Sequence, residues 1–175
     1  MRKYHLGLIF ILLLSFQSAA AMQFSHNEAE ILPPTPLLSK PFTVAELETA
    51  SPFDPEIIQR TFIAVAKEMN IRIKPDVSFP LVVISTHIPV EKIHEYIGIE
   101  LGTNTINYFG YLKNTILLMD GSKIHNLAHE LAHYFQFHYH INGDITLLNY
   151  DPEPEAVRIQ HIFRPIKDVR TAAAN

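Results

Sequence analysis

His129-Glu130-Leu131-Ala132-His133 has the form H-E-x-x-H and lies in an apolar run without Gly or Pro. Two His four residues apart stack on one helix face, so both imidazoles can reach one metal ion. Glu130 is rotated by about 100° around the axis from His129, close to the metal but not a natural third corner. Zinc held by three protein groups keeps a fourth position for water, and a nearby carboxylate can take that water's proton. One helical turn therefore supplies two ligands, His129 and His133, and a general base, Glu130.

Two imidazoles need a third donor. No His follows closely: position 136 is Gln and position 139 is Tyr. His138 and His140 fall on another face or too far along the axis, and His125 pairs with His129 at i,i+4 without an intervening Glu. A helix near the C-terminus carries the better candidates. Glu155 precedes Ile159 by four and Ile162 by seven, which places it on the face drawn through Ala156, Ile159, Ile162 and Phe163. A carboxylate facing a core needs a cation or a hydrogen-bonding partner. Glu153 lies nearer the edge of that arc, beside Gln160. Glu155 is preferred to Glu153 as the third ligand; the competing reading has both acids only favouring the helix N-terminus through its dipole. Tyr150, His161, Tyr111 and Arg158 are the candidate donors to a developing oxyanion.

These residues need elements to position them. A short helical turn is expected over 43–51, and a helix from Pro55 to Asn70 with Asp54 as N-cap and a stripe of Ile58, Phe62, Val65 and Met69. Pro80–Ser85 reads as a buried strand from its Val and Ile content, and Pro89–Ile97 as a short helix. Thr105–Leu112 and Thr115–Met119 read as a hairpin turning near Lys113-Asn114. Ser122 is the expected N-cap of the motif helix, from about Lys123 to His140. Asn142-Gly143-Asp144 breaks it, and a last helix runs to about Phe163. The fold class is α+β.

At the N-terminus, Arg2 and Lys3 precede an apolar stretch from Leu6 to Phe16 and small residues to Ala21, the pattern of a secretory signal peptide. Residues 1–21 are read as that signal, 22–42 as a Pro-rich extended lead-in, 43–165 as the functional domain and 166–175 as a flexible tail. The apolar stretch is short for a membrane span, so no stable insertion is expected once it is removed. Export is expected to end in a periplasm or outside the cell. The whole chain has 14 Lys and Arg; without Arg2 and Lys3, 12 remain against 18 acids, a formal charge of −6. No basic cluster is present, which argues against a nucleic-acid partner. Without Cys there are no disulfides, thiolate ligands or Cys nucleophiles.

With His129, Glu130, His133 and Glu155 in place, the chain resembles the gluzincins, zinc metallopeptidases whose third ligand is a Glu on a following helix; their second motif often reads Glu-Ala, as Glu155-Ala156 does. The stretch from Gly110-Tyr111 through His129–Gln136 to Glu153–Gln160 is also similar to small exported bacterial proteins carrying H-E-L-x-H-x-x-Q and then E-x-E-A-x-x-x-Q. The similarity spans roughly residues 80–164. It implies a minimal zincin-like fold: a backing helix, a small twisted, mostly antiparallel sheet, the H-E-x-x-H helix beneath it and a C-terminal glutamate helix. It implies Zn2+ on His129, His133 and Glu155, Glu130 as catalytic base, and a peptide or protein substrate paired with an edge strand, Thr105–Leu112 or Thr115–Met119. The thermolysin-like pattern has an Asp four residues after the ligand Glu to orient a motif His. Here Ile159 stands there, leaving Asp151, Asp144 or Gln160 for that role. Two other readings remain: a zinc-dependent structural or interaction protein without turnover, and an exported helical adaptor with Phe135, Phe137 and Tyr139 as its surface.

Overall fold

The computed structural model describes residues 40–140 and 151–165. The signal, most of the lead-in, the 142–144 break and the tail lie outside them. Five α-helices and a three-stranded sheet make an α+β fold. Among the described residues no helix is long and apolar enough to cross a membrane.

Helix α1 (Val44–Thr49) starts at Thr43 with a capping box: Thr43 Oγ1 accepts from the Glu46 amide, and Glu46 accepts from the Thr43 amide. Helix α2 (Pro55–Glu68) starts as its sequence demands. Asp54 accepts from the amides of Glu56 and Ile57, and Pro55 occupies the first turn, where its missing N–H costs nothing. It ends where Asn70 takes φ 55° and the Ile71 amide reaches back to the Ala66 carbonyl, a Schellman closure. Buried Arg60 joins the two helices through a 2.8 Å ion pair with Glu46.

Strand β1 (Leu81–Ile84) pairs in parallel with β3 (Thr115–Leu118), and β2 (Tyr108–Gly110) pairs with β3 antiparallel. The order β1-β3-β2 makes β3 central and fully buried. Two expectations change here. The sheet carries one ladder of each kind and is not mostly antiparallel. Of the two strands expected to offer a free edge, only β2 has one, because β3 is covered on both sides. β1 is an exposed edge strand, with Leu81 62 % exposed, and not the buried strand its Val and Ile content suggested. Period-two alternation divides β3 between two cores. Ile116 and Leu118 join the large cluster, while Leu117 packs with Ile93 and with Ile97 of the short helix α3 (His94–Ile97).

Helix α4 (Ile124–Phe135) is the centre of the large cluster and packs on α2, β2, β3 and α5 (Glu153–Ile162). Ile124, Leu127, Ala128, Leu131, Ala132, Tyr134 and Phe135 are fully buried. Each large apolar side chain of this set contributes on the order of 2 kcal/mol by leaving water. The start and end of α4 differ from expectation. Its N-cap is Lys123, whose amide donates to Asn126 Oδ1, while Ser122 Oγ bonds instead to Asn107 Oδ1. After Phe135 the chain loosens into one π turn, Gln136–His140, rather than continuing as an α-helix. Side chains anchor that end: Tyr134 donates to the Ser78 carbonyl, His138 bonds to Asn114 Oδ1, and Tyr139 Oη accepts from the Lys74 amide.

Gly110 lets β2 lie close to α3. A Cβ there would stand 2.9 Å from the Tyr96 carbonyl oxygen and 3.0 Å from Tyr96 Cβ, and a backbone atom cannot swing away. Gly110→Ala should therefore destabilise the protein by about 1–3 kcal/mol, read as a lower melting temperature; an unchanged transition would show that β2 has room to move.

Candidate metal centre

His129 and His133 stand one turn apart on α4, both half-buried, with their Nε2 atoms 3.1 Å apart. Glu153, the first residue of α5, closes the group: its carboxylate oxygens lie 3.5 Å from His129 Nε2 and 3.2 Å from His133 Nε2. Donors on a tetrahedral zinc, at bond lengths of about 2.0–2.2 Å, stand about 3.3 Å apart. Among the described residues this is the group of three or more His and carboxylates whose donor atoms converge closely enough to hold one metal ion.

The carboxylate brought to the imidazoles is Glu153; Glu155, the expected third ligand, is not among the converging donors. The reason lies in which residues α5 buries. Ile162 is 44 % exposed, while Ala156, Ile159 and Phe163 are buried. Taking Ile162 out of the apolar face rotates that face away from Glu155. Glu153 and Glu155 then flank it on opposite sides, and the Glu153 flank meets the His pair. Glu155 Oε2 accepts a 3.1 Å hydrogen bond from Gln136 Nε2.

Gln136 entered the sequence reading only as the last letter of H-E-L-x-H-x-x-Q, with no role given to it. It is buried, and its amide is fully used: Nε2 donates to the Pro152 carbonyl at 2.9 Å and to Glu155, and Oε1 faces His133 Nδ1 at 2.9 Å. Reversing the amide would aim its oxygen at two acceptors, so the orientation follows from the partners. An amide oxygen only accepts, so His133 Nδ1 must carry a proton. In the neutral form of the ring Nε2 is then the lone-pair nitrogen, 3.2 Å from a Glu153 oxygen and 3.1 Å from His129 Nε2. Two lone pairs facing each other are repulsive unless a proton or a metal ion sits between them. The donor set of two imidazoles and a carboxylate is one that zinc accepts.

Glu130 lies on the sheet side of α4, 5 % exposed. Burial, and to a lesser extent the Glu153 charge, push its carboxyl up to about 8, against a hydrogen bond from the Phe109 backbone on β2. Burial and the neighbouring His133 lower the His129 pKa, which favours the neutral, ligating form. His129 Nδ1 is buried and has no hydrogen-bond partner among the described residues.

The group opens on a cavity of about 270 Å³, walled by Tyr108, Phe109, Tyr111 and Phe137 and floored by the His pair and Glu130. Tyr108 belongs to the site although nothing in its sequence context singles it out: burial, Tyr111 and the carboxylates Glu130 and Glu153 all raise its phenol pKa. Tyr111 lines the same cavity but turns its hydroxyl to Gly98, 2.5 Å from where a Cβ would stand. The other expected participants fall elsewhere. Arg158 donates to the Glu68 carbonyl, His161 is exposed, and Asp151 accepts from the Glu153 amide rather than touching a His. Asp144 and Tyr150 lie outside the described residues. His125 and His138 stand apart from the group, and Phe135 is wholly buried, which removes it from any adaptor surface.

Comparison with protein-family models, curated proteins and solved structures gives no match.

The burial of Glu130 has a consequence for stability in the metal-free protein. From pH 4.5 to about 8 the native state keeps a proton that the unfolded chain has released, so stability is fully present below that window and falls as pH rises through it. Glu130→Gln should remove this loss, making the metal-free variant more stable than the parent at pH 8, by on the order of a few kcal/mol, with no such gain at pH 4. Urea unfolding in chelator across that range measures it. Parallel pH profiles would show that Glu130 is not held protonated.

Proposed function

We propose that this chain is an exported zinc-dependent metallopeptidase with His129, His133 and Glu153 as ligands and Glu130 as general base. The observation that carries this reading is the convergence of His129 Nε2, His133 Nε2 and the Glu153 carboxylate, 3.1–3.5 Å from one another, beside a buried acid. The gluzincin resemblance of His129–His133 and the following glutamate helix supports it, with Glu153 taking the place expected for Glu155.

Zinc on those three donors would supply Lewis acidity, bringing a water's pKa to about 7 and polarising the substrate carbonyl. Glu130 takes the proton of the attacking water and delivers it to the leaving amine. Its buried setting suits proton transfer near neutral pH, and a cation alongside would counter both burial and the repulsion from Glu153. Tyr108, which lines the cavity, is the proposed donor for a developing oxyanion. An extended peptide would pair with the free edge of β2, beside the cavity that Phe109 and Phe137 line. The basic, apolar and small-residue order of residues 1–21 supports export, to a periplasm or beyond the cell.

One observation favours a second reading, zinc binding without turnover. His129 Nδ1 has no partner among the described residues, and the position four after Glu153 is Val157, so the expected orienting Asp is missing with either glutamate as ligand.

The mature protein should bind about one zinc per chain. Glu153→Ala should weaken binding at least about 100-fold, and Glu155→Gln by less than about 10-fold, because the carboxamide oxygen that replaces the carboxylate still accepts from Gln136. Glu130→Gln should keep the zinc while hydrolysis of a quenched peptide library falls about 10²- to 10⁴-fold. Zinc-loaded parent protein with no chelator-sensitive hydrolysis would select the second reading, and a parent that binds no zinc would remove both.

A further inference from the structure

His129, His133 and Gln136 follow one another at i, i+4 and i+7, so they form one stripe along the face of α4 and its continuation that meets α5. The stripe has to solve a problem of assembly. Two ligands sit on α4 and the third at the first residue of α5, twenty positions after His133. A tetrahedral ion tolerates errors of only a few tenths of an ångström in donor positions, and the Glu153 side chain is 58 % exposed.

We propose that Gln136 is the positioning residue that holds the two halves of the metal centre in register. Its carboxamide acts in two directions at once. The oxygen accepts from His133 Nδ1, which sets the tautomer and the ring angle so that Nε2 offers a lone pair inward. The nitrogen donates to the Pro152 carbonyl, in the peptide unit immediately before Glu153, and to Glu155 two residues beyond it. One planar group therefore orients a ligand on α4 and holds α5 at the backbone just before its ligand and at a side chain two residues after it. The 2 % exposure of Gln136 excludes water as a competitor for any of these bonds. It also makes Glu155 an accessory to the centre: its carboxylate accepts one N–H of the clasp.

The inference rests on the metal-site half of the proposed function and not on peptide hydrolysis. It does not require the H-E-x-x-H base, because Glu130 touches none of the three bonds.

The test uses Gln136→Met, which keeps length and volume and removes both hydrogen-bonding functions. Zinc affinity is measured by competition with a chromophoric chelator, and the site is read separately by the visible absorption of the cobalt(II) form. The parent should bind zinc, and the variant should bind about 10- to 100-fold more weakly, with a changed cobalt band showing altered ligation by Glu153. A folded variant with the parent's affinity and an identical cobalt spectrum overturns the proposal. A second measurement needs no variant. In the metal-free parent at pH 8, long-range proton–nitrogen correlation of the His133 ring should show the proton on Nδ1; a proton on Nε2 overturns the proposal even if Gln136→Met fails to fold. Absence of zinc binding by the parent, with His133 still in the Nδ1–H form, would instead sink the metal reading.

Discussion

Four electron-rich groups are gathered around one point: two imidazole nitrogens, the Glu153 carboxylate and, a short way off, the buried Glu130. Their mutual repulsion is the constraint from which the rest of the architecture follows. Burying such groups without compensation costs several kcal/mol. The molecule confines that cost to one face of α4. The opposite face, with Leu127, Leu131, Tyr134 and Phe135 at zero exposure, anchors the helix between the sheet and α2. A helix so held cannot rotate its imidazoles out into water. Relief can come to the site instead, as a proton on Glu130 or on an imidazole, or as a cation among the three donors. A rigid apolar scaffold would thus turn unfavourable electrostatics into affinity for a positive charge.

The sheet contributes through β2 rather than through its size. The backbone of Phe109 hydrogen-bonds Glu130, so the strand that edges the cavity also fixes the buried acid. Gly110 permits the close approach to α3 that sets where β2 lies. The position of the acid and the wall of the cavity are therefore one structural variable. On the other side Gln136 links His133 to the start of α5. The centre is braced from two directions, by a strand that is distant in sequence and by a helix entered nearly twenty residues later.

Much of this was legible in the residues. Asp54-Pro55 announced α2, and the apolar run through the H-E-x-x-H motif announced α4, because caps and periodic burial are local properties. The His pair and Glu130 needed only helical spacing. The choice between Glu153 and Glu155 was not local. Both flank the same arc, and which flank counts depends on whether Ile162 is inside, a matter decided by what α5 packs against. Ser122 looked like a cap because Ser usually is one; its bond to Asn107 depends on a residue fifteen positions away. β1 read as buried from its Val and Ile content, but strand order sets exposure and composition does not reveal order. Gln136 was visible as a letter in a motif, yet its role emerges only when Pro152 and Glu155 are brought to it.

A chain without Cys has no disulfide with which to hold α5 to α4. The buried contacts of Ala156, Ile159 and Phe163 do part of this, but α5 is short and its other residues are largely exposed. An ion gripped by His129, His133 and Glu153 would act as a cross-link between the two helices, present only in the folded state. Its stabilisation grows with saturation, reaching about 2.7 kcal/mol when free metal exceeds the dissociation constant 100-fold. That is comparable with the core contribution of one buried leucine, and it is delivered where α5 begins. The same ion that could do chemistry would therefore also decide how firmly the carboxylate-bearing helix is seated, so folding and function in this protein would share one electrostatic device.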